Sequence, residues 1–348
     1  AFDHSGNSVS LSSDGSIVAI GAPYNDGSGT DAGHVRVYKK VSGTWTQLGA
    51  DINGEAANDR SGWSVSLSSD GTIVAIGAYY NDGSGTDAGS VRVYKNVSGT
   101  WTKIGGDIDG EAASDYSGYR VSLSSDGTTV AIGAPYNSGS GTYAGSVRVY
   151  KNVSGTWTQI GADIDGEAAS DNSGYSVSLS SDGTIVAIGA YGNDGSFANA
   201  GSVRVYKNVS GTWTKIGADI DGEAASDNSG FSVSLSSDGT TVAIGARNND
   251  GSGTDAGSVR VYDLTTVLSS DSFVLRNFSV YPNPASEQVT ITLQENLQLE
   301  KVTIYNTLGQ LIKTEKNNVI NVTGFAKGSY YFEVITNKGK ATKTIVIQ

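Results

Sequence analysis

Ser64-Val65-Ser66-Leu67-Ser68-Ser69-Asp70-Gly71-Thr72-Ile73-Val74-Ala75-Ile76-Gly77-Ala78 is the stretch that decides the fold. Residues 64–68 alternate apolar and polar, which predicts a strand with one face buried more than the other. Asp70-Gly71 predicts a two-residue hairpin turn, because both positions tolerate positive φ. Residues 72–78 form a nearly continuous apolar run, as expected of a strand covered on both faces. Further along, Ser90-Val91-Arg92-Val93-Tyr94 alternates again and gives a third strand. The turn Val97-Ser98-Gly99 leads into a fourth, Thr100-Trp101-Thr102-Lys103-Ile104, and residues 107–118 are expected to be a loop.

This unit repeats. Its first valine recurs at Val9, Val65, Val121, Val177 and Val233, 56 residues apart each time, and its tryptophan at Trp45, Trp101, Trp157 and Trp213. Four antiparallel strands at a fixed period of this length predict propeller blades. One blade cannot cover both its faces, so neighbours must stack. Gly77 and Ala78 would let adjacent sheets approach closely. The tryptophans are expected to pack between blades with the indole N–H reaching a partner, the alternative being platforms for sugar rings. The fold class is therefore all-β: a β-propeller of four-stranded blades over residues 1–262, then a linker over 263–277 and a small β-sandwich over 278–348. Five repeats are present, the first and last incomplete, and further repeats upstream of Phe2 are the expectation.

Phe231-Ser232-Val233-Ser234-Leu235 followed by Val242-Ala243-Ile244-Gly245-Ala246 resembles the FG-GAP repeat of integrin-α-type propellers. Gly21-Ala22-Pro23 and Gly133-Ala134-Pro135 keep the Gly-Ala-Pro of that motif. In such repeats an Asp-x-Asp-x-Asp-Gly turn between the first two strands often holds calcium. The turn here is Ser-Ser-Asp-Gly, with one carboxylate, so that site does not carry over. A second loop has the donors a hard cation takes. It supplies Asp107, Asp109 and Glu111, then Asp163, Asp165 and Glu167, then Asp219, Asp221 and Glu223, with calcium as the candidate ion. Asp115, Asp171 and Asp227 follow these loops, and Asn53 replaces the middle Asp of the first copy. The plainer reading of the same residues is a turn, where Asp, Asn and Gly are favoured for local backbone bonding.

Composition narrows the function. The chain has 348 residues, 47 Gly, no Cys and no Met. Without cysteine there is no disulfide and no thiolate metal site. Ala1 is not an initiator residue, and the expectation is that any leader has been removed. No apolar stretch is long enough to span a bilayer as a helix. Net charge is −12, and residues 273–348 contribute eight Lys and Arg against five Glu, so the repeats are the acidic part. An acidic body repels phosphate and argues against nucleic acid as a partner.

An enzyme is not expected. Only His4 and His34 are present, and their repeat equivalents are Arg60 and Ser90. No Gly-x-Ser-x-Gly elbow and no phosphate loop stands between a strand and a helix. A carboxylate pair for glycoside hydrolysis should break the repeat in one unit. The acids instead recur in nearly every copy, which suits multivalent binding of a glycan or protein ligand better than one reacting centre. The alternative is the non-catalytic part of a larger secreted hydrolase.

The last seventy or so residues differ in kind. Short strands are expected at 288–293, 301–305, 310–315, 319–322, 328–335 and 340–347, with turns at residues 306–309 and 337–339. Seven or so strands in this length predict a sandwich. Tyr281-Pro282-Asn283-Pro284, Val302-Thr303-Ile304-Tyr305-Asn306-Thr307-Leu308-Gly309-Gln310 and Gly328-Ser329-Tyr330-Tyr331-Phe332-Glu333-Val334 occur in order. This segment closely resembles the type A C-terminal sorting domain of the type 9 secretion system of Bacteroidetes. The resemblance implies export across the outer membrane, to the cell surface or the medium. It marks Tyr281, Pro282, Asn283, Pro284, Gly309, Gly328 and Tyr330 as motif residues. It also implies the outer-membrane translocon and its shuttle protein as partners.

Overall fold

The computed structural model describes residues 2–265, 277–294, 297–307, 310–337 and 339–348. The chain divides into two compact units, one ending at Asp263 and the other beginning at Leu264. Most of the expected linker, residues 266–276, lies outside the described residues.

The first unit is a β-propeller built of five blades. In blade 2 the strands are Ser64–Leu67, Ile73–Ala78, Ser90–Val97 and Thr100–Lys103, hydrogen-bonded in that order. A two-residue strand not expected from the sequence, Ile108–Asp109, continues along the third strand, with Ile108 opposite Val91. Ile108 explains it, because its side chain is buried among the valines of the interblade core. Blades 1, 3 and 4 repeat this plan, whereas blade 5 has three strands, Ser229–Leu235, Thr241–Ala246 and Ser258–Asp263.

The turn between the first two strands is longer than two residues. Gly71 N–H donates to Ser68 O at 2.9 Å, and Ser68 N–H donates to Ile73 O at 2.9 Å. Only the glycine takes positive φ, at 69°. Asp70 closes the loop by accepting from the Ser68 hydroxyl at 2.7 Å and the Thr72 N–H at 2.9 Å. This Asx-type bonding explains the Ser-Ser-Asp-Gly repeat without any ion.

The blades stack around the ends of their first strands. Ser13 N–H donates to Ser69 O at 2.9 Å, and Ser69, Ser125 and Ser181 each donate to the next blade at 2.8 Å. Leu11, Leu67, Leu123, Leu179 and Leu235, with the serine two residues after each, line one cavity of ≈ 180 Å³ on this axis. Between blades 1 and 2, Ile17, Ala19, Val35, Val37 and Ile52 face Val65, Leu67, Val74 and Ile76. The next two interfaces repeat that set. Trp101, Trp157 and Trp213 seal these interfaces, donating their indole N–H to Leu48 O, Ile104 O and Ile160 O of the preceding blade at 2.7, 2.8 and 2.7 Å. Trp101, Trp157 and Trp213 thus take part in the interblade packing, as expected, and remain half-buried. The outer faces of the terminal blades carry the same residues without a cover: Val9 and Leu11 are 63% and 60% exposed, Val259 and Val261 70% and 65%.

The second unit is a sandwich of two antiparallel sheets. One contains Phe278–Tyr281, Gln288–Leu293 and Val319–Asn321; the other contains Leu299–Asn306, Leu311–Glu315, Gly328–Thr336 and Gly339–Ile347. Val289, Ile291, Ile304, Ile320, Phe332 and Ile345 fill its core. Among the described residues no helix is long and apolar enough to cross a membrane.

Candidate functional site

The acidic loops are engaged with protein groups. In each of blades 2 to 5 an arginine of the third strand reaches into the loop that precedes its blade. Arg148 donates to Asp109 O at 2.7 Å and Ser117 Oγ at 3.2 Å, and its other nitrogen lies 3.8 Å from Glu111. Arg204 does the same with Asp165 O at 2.8 Å and Glu167 at 3.5 Å, and Arg260 with Asp221 O at 2.7 Å and Glu223 at 3.6 Å. Arg92 uses Asn53 O at 3.2 Å and Glu55 at 3.3 Å.

The remaining carboxylates of these loops turn elsewhere. Asp107 accepts from Lys103 at 2.6 Å, Asp163 from Gln159 at 2.6 Å and Asp219 from Lys215 at 2.8 Å. Asp115 accepts from Ala112 N–H and Asn137, both at 3.0 Å. Burial raises the carboxyls of Asp109, Asp165 and Asp221 above the ordinary range. The loop oxygens therefore surround a guanidinium, and among the described residues no three His, Asp or Glu are grouped as a metal would need. Asp107 and Glu111 did not converge on one ion because each takes its own protein cation, the Lys103 ammonium and the Arg148 guanidinium.

A different cluster stands at the other end of each inner hairpin, away from the Ser-Ser-Asp-Gly turns. It is built from the residue before the first strand and the residues after the second. The first position reads Asn7, Trp63, Tyr119, Tyr175 and Phe231 through the five blades; the second reads Pro23, Tyr79, Pro135, Tyr191 and Arg247. Because the open end of each hairpin abuts the next blade, these rings meet across blade boundaries. Trp63 packs on Tyr79 at 4.6 Å between centroids and on Tyr119 at 5.7 Å. Tyr119 meets Tyr175 at 5.0 Å, and Tyr175 meets Tyr191 at 4.5 Å and Phe231 at 4.9 Å. A second row joins Tyr80, Tyr116, Tyr136 and Tyr143 at 5.2, 5.0 and 5.6 Å in turn. Arg60 lies over Tyr24 at 4.3 Å and Tyr80 at 4.9 Å, and Arg247 over Phe231 at 4.2 Å.

The result is an aromatic belt running over all five blades, most of its rings half-buried and Tyr143 48% exposed. Sequence reasoning missed it by attending to what recurs. The signal lay in the positions where an otherwise uniform repeat changes.

Burial raises the Tyr79 and Tyr119 hydroxyls well above the ordinary phenol range, and Tyr116 is pushed up to about 12, again chiefly by burial. A phenol whose folded value is raised stabilises the fold fully below its unfolded value of roughly 10 and loses that contribution as pH rises through the folded value. The melting temperature should therefore fall steeply between about pH 10 and pH 12. Absorbance at 295 nm should show some of the 18 tyrosines ionising only with unfolding. Titration of every tyrosine near pH 10 with an unchanged melting temperature would contradict this.

In the second unit the motif residues divide by role. Asn283 ties its loop to the last strand, donating to Thr344 O at 3.0 Å and accepting from Val346 N–H at 2.9 Å. The bonds preceding Pro282 and Pro284 are both cis. Tyr330 is buried and donates to Ala326 O at 2.9 Å, whereas Tyr281 stands 48% exposed. Gly328 takes φ of 152° at the start of its strand, and Gly309 lies outside the described residues.

Comparison with known proteins agrees with this architecture. Residues 279–348 match the family described as secretion system C-terminal sorting domain, and residues 53–94 and 215–262 match the FG-GAP repeat. The chain thus carries FG-GAP repeats and a type 9 sorting domain, which directs it to the extracellular space or the cell surface. It is 38% identical over 88 residues to an ulvan lyase of Nonlabens ulvanivorans, covering 24% of this chain and 16% of that protein. It is 35% identical over 71 residues to Beta-agarase A of Zobellia galactanivorans, covering 19% of this chain and 13% of that protein. The chain therefore spans less than one fifth of either relative. A periplasmic gluconolactonase of Pseudomonas aeruginosa is similar in fold at 13% identity, with a TM-score of 0.47 over 98% of this chain and 85% of that one.

Proposed function

We propose that the propeller unit is a carbohydrate-binding module that acts outside the cell by contact alone, with the aromatic belt as its binding surface. One observation carries this reading: the positions at which the repeats differ converge in space, and they converge as tyrosine, tryptophan, phenylalanine and arginine. Residues needed only to close a blade have no reason to vary from copy to copy. Rigid aromatic rings offer a large amphipathic surface at low entropic cost, and such rings with arginine are the residues that dominate binding energies. A row of rings spanning blades suits a long, repetitive ligand that makes several weak contacts at once.

The named relatives act on polysaccharides, which is consistent with a carbohydrate ligand. It also keeps open a role as the attachment part of a larger secreted hydrolase. Export through the sorting domain would place the module where such polymers are met, with the outer-membrane translocon and its shuttle protein as partners in transit.

The test is affinity electrophoresis against a panel of soluble polysaccharides, followed by calorimetry on those that retard the protein. Tyr175→Ala should lower affinity at least about tenfold, since it removes the ring that touches three others. Its far-UV circular dichroism should match the wild type. A folded protein with an intact belt that binds none of the panel would overturn the reading.

A further inference from the structure

The arginines of the propeller unit single out part of the belt. There are eight of them, at positions 36, 60, 92, 120, 148, 204, 247 and 260. Six lie within 4 Å of a carboxylate: Arg36 with Asp51, Arg60 with Asp31, and the four interblade arginines with their loop glutamates. Among the described residues Arg120 and Arg247 have no carboxylate partner, although the unit around them is strongly acidic. Both also break the repeat. Arg120 stands where the other blades have Ser8, Ser64, Ser176 and Ser232; Arg247 stands where they have Pro23, Tyr79, Pro135 and Tyr191.

The two guanidiniums flank one group of rings. Arg120 lies over Tyr119 at 5.1 Å and Tyr175 at 5.9 Å, and donates to the Tyr119 carbonyl at 3.0 Å. Arg247 lies over Phe231 at 4.2 Å, and Phe231 packs on Tyr175 at 4.9 Å. Held against ring faces, each guanidinium keeps N–H donors free in the plane of its fork. Acids that occupy this end of the first two blades are absent from the next two: Asp31 and Asp87 give way to Tyr143 and Asn199. The acid returns as Asp255 in the fifth blade, so the gap between Asp87 and Asp255 spans the blades that carry Arg120 and Tyr175.

We infer that Arg120 and Arg247 form an anion subsite within the belt, which selects polysaccharides bearing carboxylate or sulfate groups along the chain. This rests on the carbohydrate-binding reading above and makes it narrower. The rings between the two arginines would hold the sugar while the guanidiniums take its charged substituents, each as a two-pronged hydrogen-bond donor. A neutral polymer would keep the stacking and lose the charge-assisted bonds.

The experiment compares three polymers by calorimetry at low and moderate salt: alginate for carboxylate, carrageenan for sulfate and agarose oligosaccharides as the neutral chain. The wild type should bind one or both anionic polymers about tenfold or more tighter than the neutral chain, and which of the two binds identifies the substituent. The preference should shrink as salt rises, because screening weakens half-exposed charges. The double variant R120Q/R247Q should lose the preference, binding the anionic and the neutral chains with affinities equal to within about twofold. R36Q, which removes a guanidinium remote from these rings, should leave the preference intact. Equal binding of neutral and anionic chains by the wild type would overturn the subsite and leave the belt reading standing. A preference unchanged in the double variant would also overturn the subsite. Absence of binding to all three, with Tyr175→Ala behaving like wild type in the wider panel, would remove both.

Discussion

Replacing Gly77 with alanine should destabilise the propeller unit by about 3 kcal/mol or more, whereas the same change at Gly245, its counterpart in the last blade, should cost less than about 1 kcal/mol. Gly77 does not have positive φ, so backbone preference is not the issue. A Cβ at Gly77 would overlap the carbonyl oxygen of Gly118, which belongs to the opening segment of the next blade. That oxygen is fixed, because it accepts from the Ser64 hydroxyl at 2.8 Å, and Gly118 N–H donates to Gly133 O at 3.2 Å. A methyl group there must push two blades apart. Gly21, Gly133 and Gly189 face the equivalent carbonyls of Gly62, Gly174 and Gly230. At Gly245 the nearest atom is the Ser232 hydroxyl, which can rotate away, and the nearest backbone atom is 3.8 Å from the added carbon. For a unit of this size, 3 kcal/mol corresponds to a fall in melting temperature of roughly 6–12 °C. Similar melting temperatures for the two alanine variants would show that blade spacing is not set by this contact.

The same comparison shows why part of the molecule was legible in its sequence and part was not. The period of 56, the Ser-Val-Ser-Leu alternation and the Val-Ala-Ile-Gly-Ala run define blade strands because each signal lies within one repeat. The indole bond from Trp101 to Leu48 O could be expected in kind, since a buried tryptophan must place its N–H. The short strand at Ile108–Asp109 was hidden inside a loop rich in turn formers, where burial of one isoleucine outweighs local preference. The acidic loops misled for a related reason. Spacing along a chain says nothing of a cation arriving from elsewhere, and Arg148 reaches Asp109 O across 39 positions. The belt was hidden twice over, because Trp63, Tyr79 and Tyr119 come from separate segments and only stacking of blades makes them neighbours.

Electrostatics adds a constraint on how the belt works. Four of the arginines spend their charge holding one blade to the next, buried at 3–6% exposure in the case of Arg92, Arg148 and Arg204. Pairs of that kind are costly to break, since the guanidinium would remain without a partner in a dry interface. They are therefore unavailable to a ligand. An arginine that recognises negative charge in this acidic unit has to lie outside the interblade set; of those, Arg36 pairs with Asp51, while Arg60, Arg120 and Arg247 sit on aromatic rings.

Removing residues 278–348 should abolish export while leaving the propeller folded. The largest buried side chains of the second unit, Phe332, Ile304, Ile291, Ile320 and Ile345, form one core with their neighbours in that unit. The cores between blades 1 and 4 draw on residues 17 to 213, and blade 5 buries Val242, Ile244 and Ala246. Each unit thus has a core of its own, which is what a unit that folds alone requires. The truncated protein should keep its melting transition and its polysaccharide binding. In a host with a type 9 secretion system it should accumulate in the periplasm, and its amount in the medium and on the surface should fall to near background by immunoblotting of cell fractions. The reciprocal experiment separates a lost address from a folding defect: residues 264–348 joined to an unrelated folded passenger should carry that passenger out. Secretion of the truncated chain at the normal level would show that the address lies elsewhere.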